Sequence, residues 1–378
     1  MQMLSISVSG NQDFRSVQHW GIGESSFGDN TLDENLSCTY VFAINRRPSP
    51  EAGHFIYIEK MTKTSKVDLV GVGLNATDTV IPLPRFPSPG SKIEFGSTKI
   101  LPGGQTASTV VACQQWGLST RYVGKIGDDS AAALHRDEFS RLGVEAHLLS
   151  VPGCASQQSF ILVDTDGERT VLHRHDDALS LHPKELHREW IVNARALHVD
   201  GWDTAAATQA AQWAREAGIP VVADLDELYA GVEQLLENID YPIVSRDFPS
   251  RLTGENSLEM ALQQMHSRYG CRLAAATLGH DGVLAFDGDR FHHAAAYRVH
   301  VADTTGAGDV FHAGFIYGLL QGWPLEQQLD FACAAAALNC TAVGARGGIK
   351  AVDAIASLAH AGERYPAEPI SSIVSAAH

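Results

Sequence analysis

Beyond Lys66, short apolar runs alternate with amphipathic stretches of helical period, and that alternation admits few folds other than a parallel sheet covered by helices on both faces. Strands buried on both sides become continuous apolar runs, and residues 68–73, 195–199, 220–223, 242–244, 273–277 and 283–286 have that character. Between them, 130–142 and 204–217 carry the period of helices, each followed by a glycine, Gly143 and Gly218, suited to a left-handed cap. The expected class is α/β, a doubly wound and mostly parallel sheet. Two stretches break the alternation: 79–100, with prolines at 82, 84, 87 and 89, and 157–173, where Asp166-Gly167 has hairpin-turn chemistry. Both are expected as short strands pairing into a small projecting sheet that can close over a ligand at the strand ends.

The 378 residues carry a formal charge of -16, which argues against nucleic acid or an anionic membrane as the main partner, since both demand clustered Lys and Arg. Any phosphate must therefore be held locally. No run of about 18 apolar residues occurs, and the N-terminus lacks the basic-then-apolar order of a secretion signal, so the expected location is the cytoplasm. Cys38, Cys113, Cys154, Cys271, Cys333 and Cys340 include no CxxC spacing and are expected as reduced thiols. His173, His175, Asp176 and Asp177 cluster after an expected strand and fit a solvated strand end better than a metal site. Residues 1–66, rich in Ser, Asn and Gly and without a sustained period, are expected to be a poorly ordered extension. Met61, just before the first convincing strand, is a candidate translation start that mass spectrometry of the native N-terminus would test.

The segment DTTGAGDVFHAGF, 303–315, passes from a loop straight into an apolar helix running to about Gln321. Gly306 and Gly308, with only Ala307 between them, leave the first amides of that helix unobstructed, and those amides with the positive helix end suit phosphate oxygens. Asp309 follows in the first turn. A carboxylate there repels an anion but is well placed to take a proton from a hydroxyl attacking phosphorus. Taken alone, the aspartate could equally be an ordinary first-turn acid that favours the dipole.

As a whole, this string resembles the C-terminal signature of the ribokinase-like (PfkB) carbohydrate kinases. A second stretch matches independently, roughly 200 residues upstream: GGQTASTVVACQQWGLSTRYVGKIGDD, 103–129. There Gly103 and Gly104 permit close backbone approach to a ligand. The resemblance implies that Gly103, Gly104, Gln105 and Ser108 face the sugar, with Ser108 standing where the family usually has asparagine. It also aligns Asp78, in GVGLNATD after the first strand, with an acid that accepts sugar hydroxyls. A dinucleotide fingerprint around Gly71 and Gly73 lacks the helix it must open, because the proline-rich segment follows.

For ATP, the resemblance implies Thr277, Gly279 and Gly282 of TLGHDG, together with Ser245 and, beyond the small-residue helix, Asn339. Ser245 and Phe248 lie where many relatives carry an Asn-x-x-Glu motif tied to Mg2+, a departure nearer the ketohexokinase and fructokinase branch. Asp303 and Thr305 would ligate a monovalent cation such as K+, beside the loop GARGGI, 344–349. Gly348 stands where ribokinase offers a hydroxyl, which argues against potassium dependence. His198, Asp200, Asp203, Asp224 and Asp226 lie at expected strand ends, where such acids line pockets or cap helices.

The resemblance thus implies a three-layer domain over about 67–360, with a β lid at about 79–101 and 157–174 and a tail over 361–378. The implied reaction is in-line phosphoryl transfer from ATP to a small sugar, with Asp309 as base and lid closure excluding water. A nucleoside acceptor, a catalytically silent sugar-binding regulator and a nicotinamide-dependent oxidoreductase are the alternatives, the last weakened by the missing helix. In some relatives lid strands pair between subunits, which leaves a homodimer open.

Overall fold

The computed structural model describes residues 2–7, 39–44, 65–165 and 169–366. Strands β1 (Gln2–Ser7) and β2 (Thr39–Ile44) pair antiparallel and belong to a unit of their own, separate from the unit that begins at Lys66. Within the expected N-terminal extension residues 8–38 and 45–64, Met61 among them, lie outside the described residues, as do the Asp166-Gly167 turn and 367–378.

From Lys66 the chain runs through β3 (Val67–Val72), β4 (Ala76–Pro82), β5 (Lys99–Gly103), α1 (Gln105–Gln115), β6 (Thr120–Ile126), α2 (Ser130–Leu142), β7 (Glu145–Ser150), β8 (Gln158–Val163) and β9 (Arg169–His173). It continues through α3 (Arg188–Val192), β10 (Ala194–Asp200), α4 (Thr204–Glu216), β11 (Val221–Leu225), α5 (Val232–Leu236), β12 (Tyr241–Ser245), α6 (Phe248–Thr253), α7 (Leu258–Tyr269) and β13 (Ala274–Thr277). The last part comprises β14 (Val283–Phe286), β15 (Phe291–Ala294), α8 (Ala307–Gln321), α9 (Leu325–Asn339) and α10 (Val352–Ala361).

The main sheet has the order β15-β14-β13-β12-β11-β10-β3-β6-β7, parallel from β7 to β13 and antiparallel at the β14 and β15 edge. Its faces bury two separate cores. Val70, Val72, Leu197, Val199, Val221 and Leu225 join α3 to α7 on one side, while Leu69, Ala196 and Val222 join α1, α8 and α9 on the other. This is the expected three-layer arrangement. The chain leaves β3 toward β6 and later returns to β10 on the other flank of β3, so a crevice opens at the carboxyl ends of β3 and β10, where doubly wound sheets bind ligands.

The small sheet has the order β5-β4-β8-β9. Its strands occupy only the ends of the expected 79–100 stretch, because Pro82 ends β4 and no regular structure forms again until Lys99. No described helix is long and apolar enough to cross a membrane.

Gly71 fixes how closely α1 approaches β3: a Cβ there would lie 2.4 Å from Val110 Cγ2 and 2.7 Å from Thr106 Cγ2. Gly71→Val should therefore lower stability by about 1–3 kcal/mol through overpacking. Denaturant unfolding checks this, and an unchanged midpoint would refute the tight contact.

Candidate active site

Helices α1 and α8 lie side by side with their N-termini at the crevice. The Thr109 hydroxyl donates to the Asp309 carbonyl across 2.9 Å, and the Cys113 thiol reaches the Ala313 carbonyl. Neither helix start is capped by a side chain: Gly104 precedes α1 at φ 94° and Gly306 precedes α8 at φ 74°. Two positive helix ends thus face one space.

The glycines of the α8 start have different roles. A Cβ on Gly308 would meet nothing within 4 Å, so this residue keeps the cradle open. Gly306 is fixed by its left-handed backbone and by Ala345, whose carbonyl oxygen would lie 2.2 Å from a Cβ. The Ala307 amide closes a turn onto the Thr304 carbonyl at 3.2 Å. Asp309 lines the crevice half-buried, and its carboxyl is pushed well above the usual carboxylate range, first by burial and then by the charge of Asp224. His312, one turn on, sits with Nδ1 2.7 Å from the Gly308 carbonyl, Nε2 3.0 Å from the Ile243 carbonyl and Nδ1 3.6 Å from Asp224. Burial pulls this imidazole down, opposed by both carbonyls and by Asp309.

At the α1 start, Asp200 ties the switch point together. It accepts from the Leu74 amide and the Thr106 hydroxyl, each at 2.7 Å, and from the Trp202 amide at 3.1 Å. Gly73 faces this carboxylate, which a Cβ would meet at 2.3 Å. Asp78 lies against Gly103, where a Cβ would sit 2.0 Å from its carboxylate oxygen, and it accepts from the Ser159 hydroxyl. Burial pushes the Asp78 carboxyl up to about 6, opposed by Arg346. The Gln105 carboxamide bonds Asp224 and Asp226 at the end of β11. Asp224 is raised far above an ordinary carboxyl by burial and by the charges of Asp226 and Asp200.

The other expected site residues have these surroundings. Ser108 is fully buried, and its hydroxyl accepts from Arg346 Nε at 3.1 Å instead of meeting the crevice. Arg346 also donates to the Gly103 carbonyl at 2.7 Å and to Glu138. Asn339 is likewise fully buried. Its amide donates to the Thr305 and Ala345 carbonyls and accepts from the Gly348 amide, so its side chain joins two loops rather than facing a nucleotide. Asp303 accepts from the Thr305 amide and hydroxyl and from the Gly344 amide. Gly282 packs on the Ala294–Ala296 backbone, with Ala294 O 1.9 Å from where a Cβ would be, a structural reason for the glycine. Gly279 opens onto free space at φ 64°, and Thr277 and Ser245 close the β13 and β12 ends through the Val244 and Asp226 carbonyls.

Arg169 and Arg346 were not legible as site residues. Arg169 reaches from β9 to the Thr304 carbonyl and places its charge near Asp309 and Asp78. Among the described residues no three His, Cys, Asp or Glu side chains converge as metal ligands.

An open amide cradle beside a carboxylate of raised proton affinity suits group transfer to a hydroxyl: one end holds an anion, the other takes a proton. Residues 66–351 match the family model described as pfkB family carbohydrate kinase, and the chain belongs to that family. It is 28% identical over 292 residues to an ATP-dependent ribose-1-phosphate kinase of Halopiger xanaduensis, covering 74% of this chain and 94% of that one. To a ribokinase of Haemophilus influenzae it is 26% identical over 293 residues, with 74% and 94% covered. The solved structure of Arabidopsis thaliana ribokinase complexed with ribose and ATP superposes with a TM-score of 0.66 at 25% identity, covering 78% of this chain and 98% of that one. The protein is thus a carbohydrate kinase with a ribokinase-like fold.

Asp203 gives the crevice electrostatics a direct test. Burial, with the charge of Asp200, pushes its carboxyl up to about 7. The folded state then holds a proton that the unfolded chain releases near pH 4, so this group's contribution to stability falls as pH rises from about 4 to about 7. Asp203→Asn should stabilise the protein more at pH 8 than at pH 5, as read by denaturant midpoints. An equal effect at both pH values would contradict the raised proton affinity.

Proposed function

We propose that the protein transfers the γ-phosphoryl group of ATP to a hydroxyl of a small sugar by in-line displacement, with Asp309 as general base. The observation that carries this reading is the Asp309 carboxyl, of raised proton affinity, beside the open Gly308 at the uncapped start of α8. The acceptor hydroxyl gives its proton to Asp309 as its oxygen bonds to phosphorus, and the bond from phosphorus to the bridging oxygen breaks to release ADP. Amides at the α8 start and the Arg169 guanidinium offset charge on the transferring group, while Asp78 accepts hydrogen bonds from other hydroxyls of the acceptor. The small sheet carrying Arg169 and Asp78 excludes water, the competing acceptor.

Magnesium fits the same reading. Desolvation and the charge of Asp226 raise the proton affinity of Asp224, and desolvation with the charge of Glu227 raises that of Asp226, as expected of carboxylates lacking a sufficient counter-cation. They would hold a Mg2+ ion brought in by the ATP phosphates, in part through its waters, and the ion would neutralise phosphate charge. Potassium suits the site less well: Asp303 already accepts three hydrogen bonds, and a side chain at Gly348 would fall 2.3 Å from the Asn339 carbonyl oxygen.

The outer face of the small sheet bears on assembly. Ile100, Thr79, Phe160 and Leu172 form one cross-strand row, and Ile100, Phe160 and Leu172 are exposed. This favours a homodimer joined through the small sheets. Sedimentation should show a dimer that Phe160→Lys dissociates, and a monomeric wild type would refute it.

The catalytic proposal is tested by ADP release with a panel of sugars, run beside Asp309→Asn. Turnover should fall at least about a hundredfold in the variant. In the wild type, kcat/KM should decline on the acid side around a pKa well above that of a free aspartate, since the base acts only when deprotonated. Unchanged turnover in Asp309→Asn would refute the assignment.

A further inference from the structure

A cavity of about 430 Å³ lies at the end of β10, lined among others by His173, His175, Trp202, Asp203 and Tyr229. Its rings form a connected wall: His173 meets Trp202 edge-on at 5.5 Å, His175 lies 5.0 Å from Trp202, and Trp202 meets Tyr229 at 6.2 Å. A packing cluster would bury these rings. Instead Trp202 and Tyr229 are only half-buried, and both histidines are exposed.

Register links this cavity to the acceptor site. Asp78 on β4 pairs with Ser159 on β8, which pairs with His173 on β9, so the three side chains share one face of the small sheet. Behind them, Asp203 feels the charge of Asp200, and the Tyr229 phenol is raised by burial and by the charges of Asp226, Asp200 and Asp224. A second hollow of about 370 Å³ adjoins, sharing Thr204, Ala205 and Ala230 and lined by the carboxamides of Gln209, Gln212 and Gln234. Among the described residues no lysine or arginine lines either one.

Aromatic faces suit the faces of rings, carboxamides suit hydroxyls or base edges, and a lining without lysine or arginine beside several carboxylates disfavours a phosphate. We propose that the acceptor is a sugar bearing a second, unphosphorylated ring that stacks on Trp202 and Tyr229 while the reacting sugar sits between Asp78 and Asp309. This rests on the kinase reading above and names its substrate class. The second ring can come from a nucleobase or from another sugar, and both offer a face to an aromatic wall.

The test compares ADP release by the full chain with ribose, fructose, adenosine, cytidine, sucrose, maltulose and ribose 5-phosphate. A ring-bearing acceptor should exceed its bare sugar in kcat/KM by on the order of tenfold, the worth of one aromatic contact. Preference for a nucleoside or for a disaccharide identifies the source of the ring. Trp202→Ala should lower the ratio of ring-bearing to bare kcat/KM by about the same factor, with Trp202→Phe restoring part of it. A merely structural defect would lower both terms and leave the ratio unchanged. Highest turnover with ribose, fructose or ribose 5-phosphate, or a ratio insensitive to Trp202→Ala, overturns this inference while leaving an Asp309-dependent kinase. No ADP from any of the seven acceptors overturns the kinase reading as well.

Discussion

The contact between α1 and α8 sets the geometry of everything that faces the crevice. Thr109 joins the two helices at the Asp309 carbonyl, and Gly71 lets α1 seat directly on β3. With both helix starts left uncapped, unsatisfied amides and two positive dipole ends converge at the switch point of the sheet. A side chain capping either start would stabilise its helix by roughly 1 kcal/mol and compete with any anion for the same amides. The fold forgoes that stabilisation at the two places where a ligand can supply it.

The opposite sign of charge is also concentrated there. Asp78 on β4, Asp200 and Asp203 at and just after the end of β10, Asp224 on β11 and Asp309 on α8 come together there, and burial with the charge of neighbouring carboxylates raises the proton affinity of all five. Packing alone would not collect them, because each buried carboxylate costs free energy. Asp200 offsets its cost with three hydrogen bonds that brace the crevice wall. Asp224 and Asp309 have fewer partners, and in the proposed reaction a cation and a hydroxyl proton would satisfy them.

Strands carried by continuous apolar runs were legible in the sequence, as were α2 and the end of α8, where Gly143 and Gly322 supply left-handed caps. β7 and β15 were not, since an edge strand is half-buried and lacks a continuous apolar run. The GAGD string pointed to the start of α8 because glycines and an acid at fixed spacing have few other uses. It did not distinguish Gly308, which faces open space, from Gly306, which is held by Ala345. Arg346, Arg169 and Trp202 escaped notice because their roles depend on partners over 100 residues away or on the neighbouring sheet, and no local spacing records that. The resemblance pointed to Ser108 as sugar-facing and to Asn339 as nucleotide-binding, and local spacing did not record the hydrogen bonds by which both support the loops.

Arg346 has a consequence for how the chain is made. It lies in the loop after α9, yet its partners Gly103, Ser108 and Glu138 belong to segments more than 200 residues earlier. Until that loop leaves the ribosome, a carboxylate and a carbonyl destined for burial have no guanidinium to answer them. This wall of a nascent chain therefore stays unfinished through most of translation, and its completion waits on nearly the last segment of the domain.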